Sequence, residues 1–222
     1  MELIISGYNG KMGQCLRALF AGNDTVSTRS SCDLPKNFSI DCLWIDFSHP
    51  SYFDFVIGEV KKHACPLIMG TTGLSSGQMS ELKQISEKQV VVYDSNFSLG
   101  INAIKTILPH LTSLLRDFDI DIVEAHHKSK KDAPSGTAKS IQQILQRKNN
   151  VQVPITSLRA GGIRGEHSIL YAGQDELVSI KHEALDRRVF AQGVAYVIQW
   201  IVRKKPSQGF FNMQDILHDC IS

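Results

Sequence analysis

A chain of 222 residues has room for one large domain or two small ones. With 42% hydrophobic residues, 21% charged residues and a formal net charge of +2, it has an ordinary globular composition and no charge excess that would point to nucleic acid or a membrane surface. No apolar run nears the roughly 18 residues of a membrane span. The N-terminus enters a strand without a basic and apolar leader. Five cysteines, at 15, 32, 42, 65 and 220, show neither C-x-x-C spacing nor the even count of a disulfide framework. Reduced thiols and a cytoplasmic location are therefore expected, with no nucleic-acid or membrane partner.

In chain order, Leu3, Ile4 and Ile5 form a short apolar run, Gly7-Tyr8-Asn9-Gly10-Lys11-Met12-Gly13 follows, and Met12, Cys15, Leu16 and Leu19 recur on one helical face. Strand, glycine loop and helix are the context of a dinucleotide site, in which backbone amides approach a pyrophosphate at a helix N-terminus. G-x-x-G-x-x-G alone also fits a plain tight turn. A second strand is expected over Thr25–Ser30, where an acidic residue would bind a ribose hydroxyl. Arg29, Ser30 and Ser31 stand there instead, with Asp33 beyond, a set that could accommodate a 2′-phosphate or could simply be exposed strand. A short connection with one proline, from Asp33 to Asp41, leads to a buried strand over Cys42–Phe47.

Ser48-His49-Pro50 begins a helix with Phe53, Ile57 and Val60 inward, Pro66–Met69 forms a strand, and Gly70-Thr71-Thr72-Gly73 ends it. A helix capped near Ser75 has Met79, Leu82 and Ile85 inward, and a strand over Gln89–Tyr93 leads to Asp94-Ser95-Asn96-Phe97. Short apolar strands alternating with helices predict a Rossmann-like, doubly wound parallel sheet of the α/β class, with ligands at the carboxyl ends of its strands.

From Ile101 the pattern changes to a long helix that Pro109 should kink. A strand over Asp117–Glu124 feeds the loop Ala125-His126-His127-Lys128-Ser129-Lys130-Lys131-Asp132-Ala133-Pro134, and Ser135 then caps a helix with Ala138, Ile141, Ile144 and Leu145 inward. The amides of Gly136 and Thr137 make an anion site suited to a carboxylate or phosphate, with His127 nearby in sequence. His126 and Lys130 can move protons. A zinc site at the paired histidines is disfavoured, since adjacent side chains diverge and no further ligand has useful spacing; no metal is expected. Strands over Val151–Leu158, Ser168–Tyr171 and Glu176–His182 predict a mixed sheet, and Phe190, Val194, Val197, Ile198 and Ile201 a final helix. Arg159, Arg164, His167 and Arg187 are candidates for substrate or interface contacts.

Glu124 to Ala138 resembles the signature of the dihydrodipicolinate reductase family, E-x-H-H-x-x-K-x-D-A-P-S-G-T-A, at every fixed position. The resemblance extends through Gly7-x-x-Gly10-x-Met12-Gly13, Gly70-Thr71-Thr72-Gly73, Asn96-Phe97-Ser98-x-Gly100-x-Asn102, the run from Arg159 to His167, and His182, Ala184, Arg187, Phe190, Ala191 and Gly193. It covers nearly the whole chain. It implies a dinucleotide-binding domain of residues 1–98 plus 188–222, and an inserted α+β domain of residues 99–187 whose mixed sheet binds substrate and builds a homotetramer.

It further implies hydride transfer from NADPH or NADH to 4-hydroxy-tetrahydrodipicolinate, a cyclic dicarboxylate, giving tetrahydrodipicolinate in diaminopimelate and lysine biosynthesis. The implied cofactor residues are Gly7, Tyr8, Asn9, Gly10, Lys11, Met12, Arg29, Gly70, Thr71, Thr72, Asp94, Ser95, Asn96 and Phe97. The implied catalytic residues are His126 and Lys130, with His127, Ser135, Gly136 and Thr137 on substrate. The family often carries an acid where Arg29 stands, so strict NADH preference is not expected. Two rivals are a dehydrogenase of similar fold acting on another small acid, which Glu124–Ala138 argues against, and a non-catalytic dinucleotide sensor, which has no need of His126 and Lys130.

Overall fold

The computed structural model describes residues 1–34, 42–149 and 152–220. Most of the Asp33–Asp41 connection lies outside them, as does Val151; the strand expected from Val151 begins only at Ile155, residues 152–154 not being strand. The chain divides into two compact units, Met1–Phe97 with Phe190–Ser222, and Ser98–Val189.

The discontinuous unit starts with β1 (Glu2–Ser6), α1 (Lys11–Phe20), β2 (Ser27–Ser30) and β3 (Cys42–Asp46), then α2 (Phe53–His63), β4 (Leu67–Met69), α3 (Ser76–Ser86) and β5 (Val90–Tyr93). Buried on both faces, β3, β4 and β5 are near-continuous apolar runs of the kind parallel sheets require, while β2, Ser-Thr-Arg-Ser at the sheet edge, has no buried residue. Ile4, Trp44, Leu67 and Val91 pack against α2 and α3 through Phe53, Val56, Ile57, Leu82 and Ile85. Trp44 satisfies its indole N–H on Ser6 Oγ at 2.9 Å.

His49 caps the turn of 3-10 helix at Pro50–Tyr52 that precedes α2, because its imidazole accepts the Ser51 amide, while Ser48 Oγ donates to Asp46. One local expectation is corrected. On α1 the buried positions are Gly13 and Leu16, with Gly13 pressed on the carbonyls of Gly7 and Tyr8 in the glycine loop, and Leu19 is 42% exposed.

The inserted unit contains α4 (Leu99–Leu114), β6 (Asp119–His126), α5 (Gly136–Asn149), β7 (Ile155–Arg159), β8 (Glu166–Ala172) and β9 (Leu177–Glu183). Its sheet order is β7-β6-β8-β9, with β6 and β7 parallel and the other pairs antiparallel. Alternation sorts the two faces. Ile120, Ile122, Ile169 and Tyr171 pack against α4 and α5, while Asp121, Leu158, Leu177 and Lys181 lie exposed on the other face. Pro109 lies inside α4, which runs unbroken in its assigned range. β6 extends two residues past the expected end, so His126 is the last residue of a strand rather than part of a loop.

The chain then returns to the first unit through α6 (Arg188–Lys204), β10 (Gly209–Phe211) and α7 (Met213–His218). The parallel sheet reads β10-β5-β4-β3-β1-β2. Neither β10 nor α7 was expected from the sequence. The expectation of reduced thiols also fails at one pair: Cys42 and Cys65 are disulfide-bonded, with Cα atoms 5.9 Å apart. Trp44 of β3 pairs with Leu67 of β4, so the residues two positions earlier face each other across the sheet, although 23 residues separate them in sequence. Cys15, Cys32 and Cys220 are free thiols. No helix among the described residues is long and apolar enough to cross a membrane.

Candidate active site

The first group of candidates gathers at the carboxyl ends of β1, β3 and β4. Gly7 adopts a positive φ of 80°, and its carbonyl accepts the Gly10 amide at 2.9 Å, closing the turn. Gly10 sits at the N-cap of α1 with extended backbone and no side-chain cap, so the first-turn amides keep a face for an anion. A Cβ at Gly13 would stand 2.3 Å from the Tyr8 carbonyl oxygen and 2.4 Å from that of Gly7. Only glycine lets α1 press on the loop in this way.

Asn9 accepts Gln14 Nε2 at 2.9 Å, and Arg17 lies over the Tyr8 ring at 4.6 Å. Lys11, Met12, Gly70, Thr71 and Thr72 line one cavity of about 360 Å³ together with His49 and Pro50. This cradle fits the pyrophosphate part of a dinucleotide.

Asp46, which sequence reasoning passed over, holds that cavity together. It is 1% exposed and accepts Thr71 Oγ1 and Ser48 Oγ, each at 2.5 Å, while Thr71 Oγ1 accepts the Ser48 amide at 3.0 Å. Burial pushes its carboxyl pKa up against those hydrogen bonds. Its signal in the sequence was a carboxylate closing a strand that is otherwise wholly apolar.

Other candidates have structural partners of their own. Arg29 Nε donates to Glu2 Oε1 at 2.5 Å, which draws its guanidinium toward the amino end of β1, away from the glycine loop. Asp94 accepts the amides of Asn96 at 3.0 Å and Met213 at 3.2 Å, tying the end of β5 to the start of α7. Phe97 is buried edge-on to Phe47 at 5.5 Å, and Ser95 is exposed.

The second group lies in the inserted unit, where the inward face of the mixed sheet turns from apolar to polar. Strand register aligns Glu124 with His167 and His167 with His182, and places His126 beside Arg159. Glu124 is fully buried. Its Oε2 takes a short hydrogen bond from His126 Nδ1 and one of 3.0 Å from Arg159 Nη1; its Oε1 accepts Arg159 Nη2 at 2.7 Å and the Ser135 amide at 3.3 Å. Burial alone would raise the Glu124 pKa, but the Arg159 and His126 bonds win and hold it at about 2. Burial pushes the His126 pKa down, Glu124 opposes that, and the nearby Lys130 and Arg159 charges add to it.

Around this cluster, Ser135 Oγ accepts the Ala138 amide at 3.2 Å, as a cap should, and pairs with His167 Nε2 at 3.1 Å. Gly136 is exposed, and a Cβ placed there would meet nothing within 4 Å. Thr137 is buried beside it. His127 Nδ1 pairs with Ser129 Oγ at 2.8 Å, and Lys130 Nζ pairs with Asp132 Oδ1 at 2.8 Å. His126, Lys130, Ser135 and Gly136 thus share one neighbourhood. It holds a proton-bearing imidazole, an ammonium group and the N-terminus of a 14-residue helix. Among the described residues, no group of three or more His, Cys, Asp or Glu side chains could hold a metal.

Comparison with known proteins identifies the family. A family profile described as dihydrodipicolinate reductase, C-terminus, matches residues 100–217, and its N-terminus counterpart matches residues 19–97. The chain belongs to the dihydrodipicolinate reductase family. It is 36% identical over 221 residues to the 4-hydroxy-tetrahydrodipicolinate reductase of Thermosipho africanus, covering 99% of each chain. It is 32% identical over 242 residues to that of Rickettsia bellii, covering 98% of this chain and 95% of the relative. A solved dipicolinate-bound dihydrodipicolinate reductase from Paenisporosarcina sp. TG-14 shares the fold at a TM-score of 0.74 and 21% identity, covering 96% of this chain and 97% of that one. As a member of this family the chain is a reductase of the diaminopimelate and lysine pathway.

Proposed function

We propose that the chain reduces 4-hydroxy-tetrahydrodipicolinate to tetrahydrodipicolinate with NADPH or NADH, the dinucleotide held by residues 1–98 plus 188–222 and the dicarboxylate by residues 99–187. The substrate loses its 4-hydroxyl as water and gains a hydride and a proton, which balances the change. Bound NADPH or NADH supplies the hydride. Gly7, Tyr8, Asn9, Gly10, Lys11 and Met12 bind the pyrophosphate, and Gly70, Thr71, Thr72, Asp94, Ser95, Asn96 and Phe97 form the nicotinamide side. Asp94 and Phe97 act there by shaping the segment through the Met213 amide and the Phe47 ring.

Ser135, Gly136 and Thr137, with His127, hold one substrate carboxylate at the positive end of α5. His126 and Lys130 deliver and accept the proton that accompanies hydride addition. One observation carries this reading: the signature residues His126 and Ser135 meet at one buried carboxylate, Glu124, beside the N-terminus of α5, and Arg159 links that carboxylate to the Asp132 segment that pairs with Lys130. The solved Paenisporosarcina relative, bound to a planar dicarboxylate, supports that substrate class.

NADPH serves at least as well as NADH, because the end of β2 offers Ser30 and Ser31 rather than a carboxylate that would repel a 2′-phosphate. The family analogy supports a homotetramer and a cytoplasmic location. The test follows NADPH and NADH oxidation by purified protein with 4-hydroxy-tetrahydrodipicolinate. Oxidation dependent on that substrate is expected; oxidation that proceeds equally with other small acids and not with this one refutes the proposal.

A further inference from the structure

We infer that Glu124, clamped by Arg159, is the positioning group of the site: it fixes the ring and tautomer of His126 and ties that histidine to the segments carrying Lys130 and Ser135. The inference rests on the reading of His126 as a proton-handling residue.

Glu124 has no exposed surface, and its carboxylate accepts from His126 Nδ1, both terminal nitrogens of Arg159 and the Ser135 amide. The forked Arg159 grip is the geometry that holds a carboxylate in one orientation. The same Arg159 Nη2 donates to the Asp132 carbonyl at 2.6 Å, and the Asp132 side chain pairs with Lys130 Nζ at 2.8 Å. One carboxylate is therefore joined directly to the proton-handling imidazole and to the residue capping the carboxylate site. Through one arginine it is also joined to the segment bearing the ammonium group. A displaced Glu124 would misplace all three together.

The chemistry of the His126 contact adds a direction. A carboxylate ringed by donors is ionised and can only accept, so Nδ1 must carry the hydrogen. Nε2 is left as the atom that gives and takes a proton. It points toward Gly165, where a Cβ would come within 3.2 Å of it. The groups facing His126 are Glu124 on its own strand, Arg159 on β7, His167 on β8 with ring centres 5.3 Å away, and Lys130 in the following loop. Burial, Arg159 and Lys130 all favour the neutral ring; Glu124 alone among these groups favours the charged one. Removing its charge must lower the proton affinity of His126.

The test compares full-length wild type with Glu124→Gln, Glu124→Asp, Arg159→Lys and His126→Ala. It measures kcat and KM against pH, NADPH affinity by fluorescence, and the His126 tautomer by long-range proton–nitrogen NMR. Wild type should show an Nδ1–H tautomer. Glu124→Gln should lower kcat by roughly 10²–10⁴-fold, the range of a lost general acid, with a smaller change in KM. Its alkaline limb should move to lower pH and its NADPH affinity should hold. Glu124→Asp should recover part of the rate, and Arg159→Lys should give an intermediate loss. An unaltered pH limb and tautomer in Glu124→Gln overturns the inference, leaving the buried pair a purely structural role. If that variant does not fold, the wild-type tautomer decides, and an Nε2–H form overturns it. Loss of rate in His126→Ala with none in Glu124→Gln overturns the positioning role alone. A near wild-type rate in His126→Ala overturns the reading of His126 itself, and the positioning role with it.

Discussion

Gly136 stands at the start of α5 with no positive φ, and a Cβ there would touch nothing. Neither backbone geometry nor packing demands glycine, which leaves close approach of a ligand as the physical reason for one. Gly136→Val should therefore leave the melting temperature unchanged and raise the KM for the dicarboxylate roughly ten- to hundredfold, from an overpacking cost of about 1–3 kcal/mol. Steady-state kinetics with parallel NADPH titration checks this, and loss of NADPH binding would contradict it. His167 gives a second residue-level prediction. Burial, reinforced by the His126 charge, holds its pKa at about 3, below the ordinary 6.5. Below 6.5 the unfolded chain takes up a proton that the folded chain refuses, so stability is complete above that pH and declines from about 6.5 toward about 3. Melting curves across this range should show the decline, and His167→Gln should flatten it. Gly136 and Glu124 differed in legibility. Gly136 was visible because a cap followed by glycine is a local pattern. Glu124 stood inside the recognised stretch but was given no work, because its partners Arg159 and Ser135 come from other elements and only strand register brings them together.

α1 is held against the glycine loop with no space for even one methyl group at Gly13. Gly13→Ala should push the helix N-terminus off the loop, destabilise the protein by about 1–3 kcal/mol and weaken NADPH binding. A melting scan and a fluorescence titration read both effects, and tight NADPH binding in this variant would mean that the loop is not the pyrophosphate site. Apolar runs and glycine turns made β1 to β5 readable, and alternation made the mixed sheet readable. β10 escaped because Gly209–Phe211 is three residues long and pairs with β5, more than a hundred positions earlier. The end of β6 was set too early because His126 looks like loop chemistry, although it occupies an inward strand position. Arg29 was assigned from its distance to the glycine loop, and spacing could not reveal that Glu2 would engage it.

The molecule as a whole consists of two compact units, and its N- and C-terminal segments share one of them. The change of pattern at Ile101 was legible in the residues, while the return of the last helix to the first domain was expected from the family resemblance alone. The disulfide was not legible, since sequence spacing carries no trace of the β3–β4 pairing that aligns its cysteines. Alkylation of the denatured, unreduced protein should label three of the five cysteines, Cys15, Cys32 and Cys220; labelling of all five would show that Cys42 and Cys65 are thiols. The central claim is that the family signature performs proton transfer and not merely binding. The most direct measurement is kcat at saturating 4-hydroxy-tetrahydrodipicolinate and NADPH for His126→Ala, Lys130→Ala and the double variant, each with its NADPH affinity measured. Each single variant should lose roughly 10²–10⁴-fold in kcat, the double variant should be no worse than the product of the two, and NADPH binding should be undiminished. A near wild-type kcat with only KM raised, in either single variant, would contradict the claim for that residue.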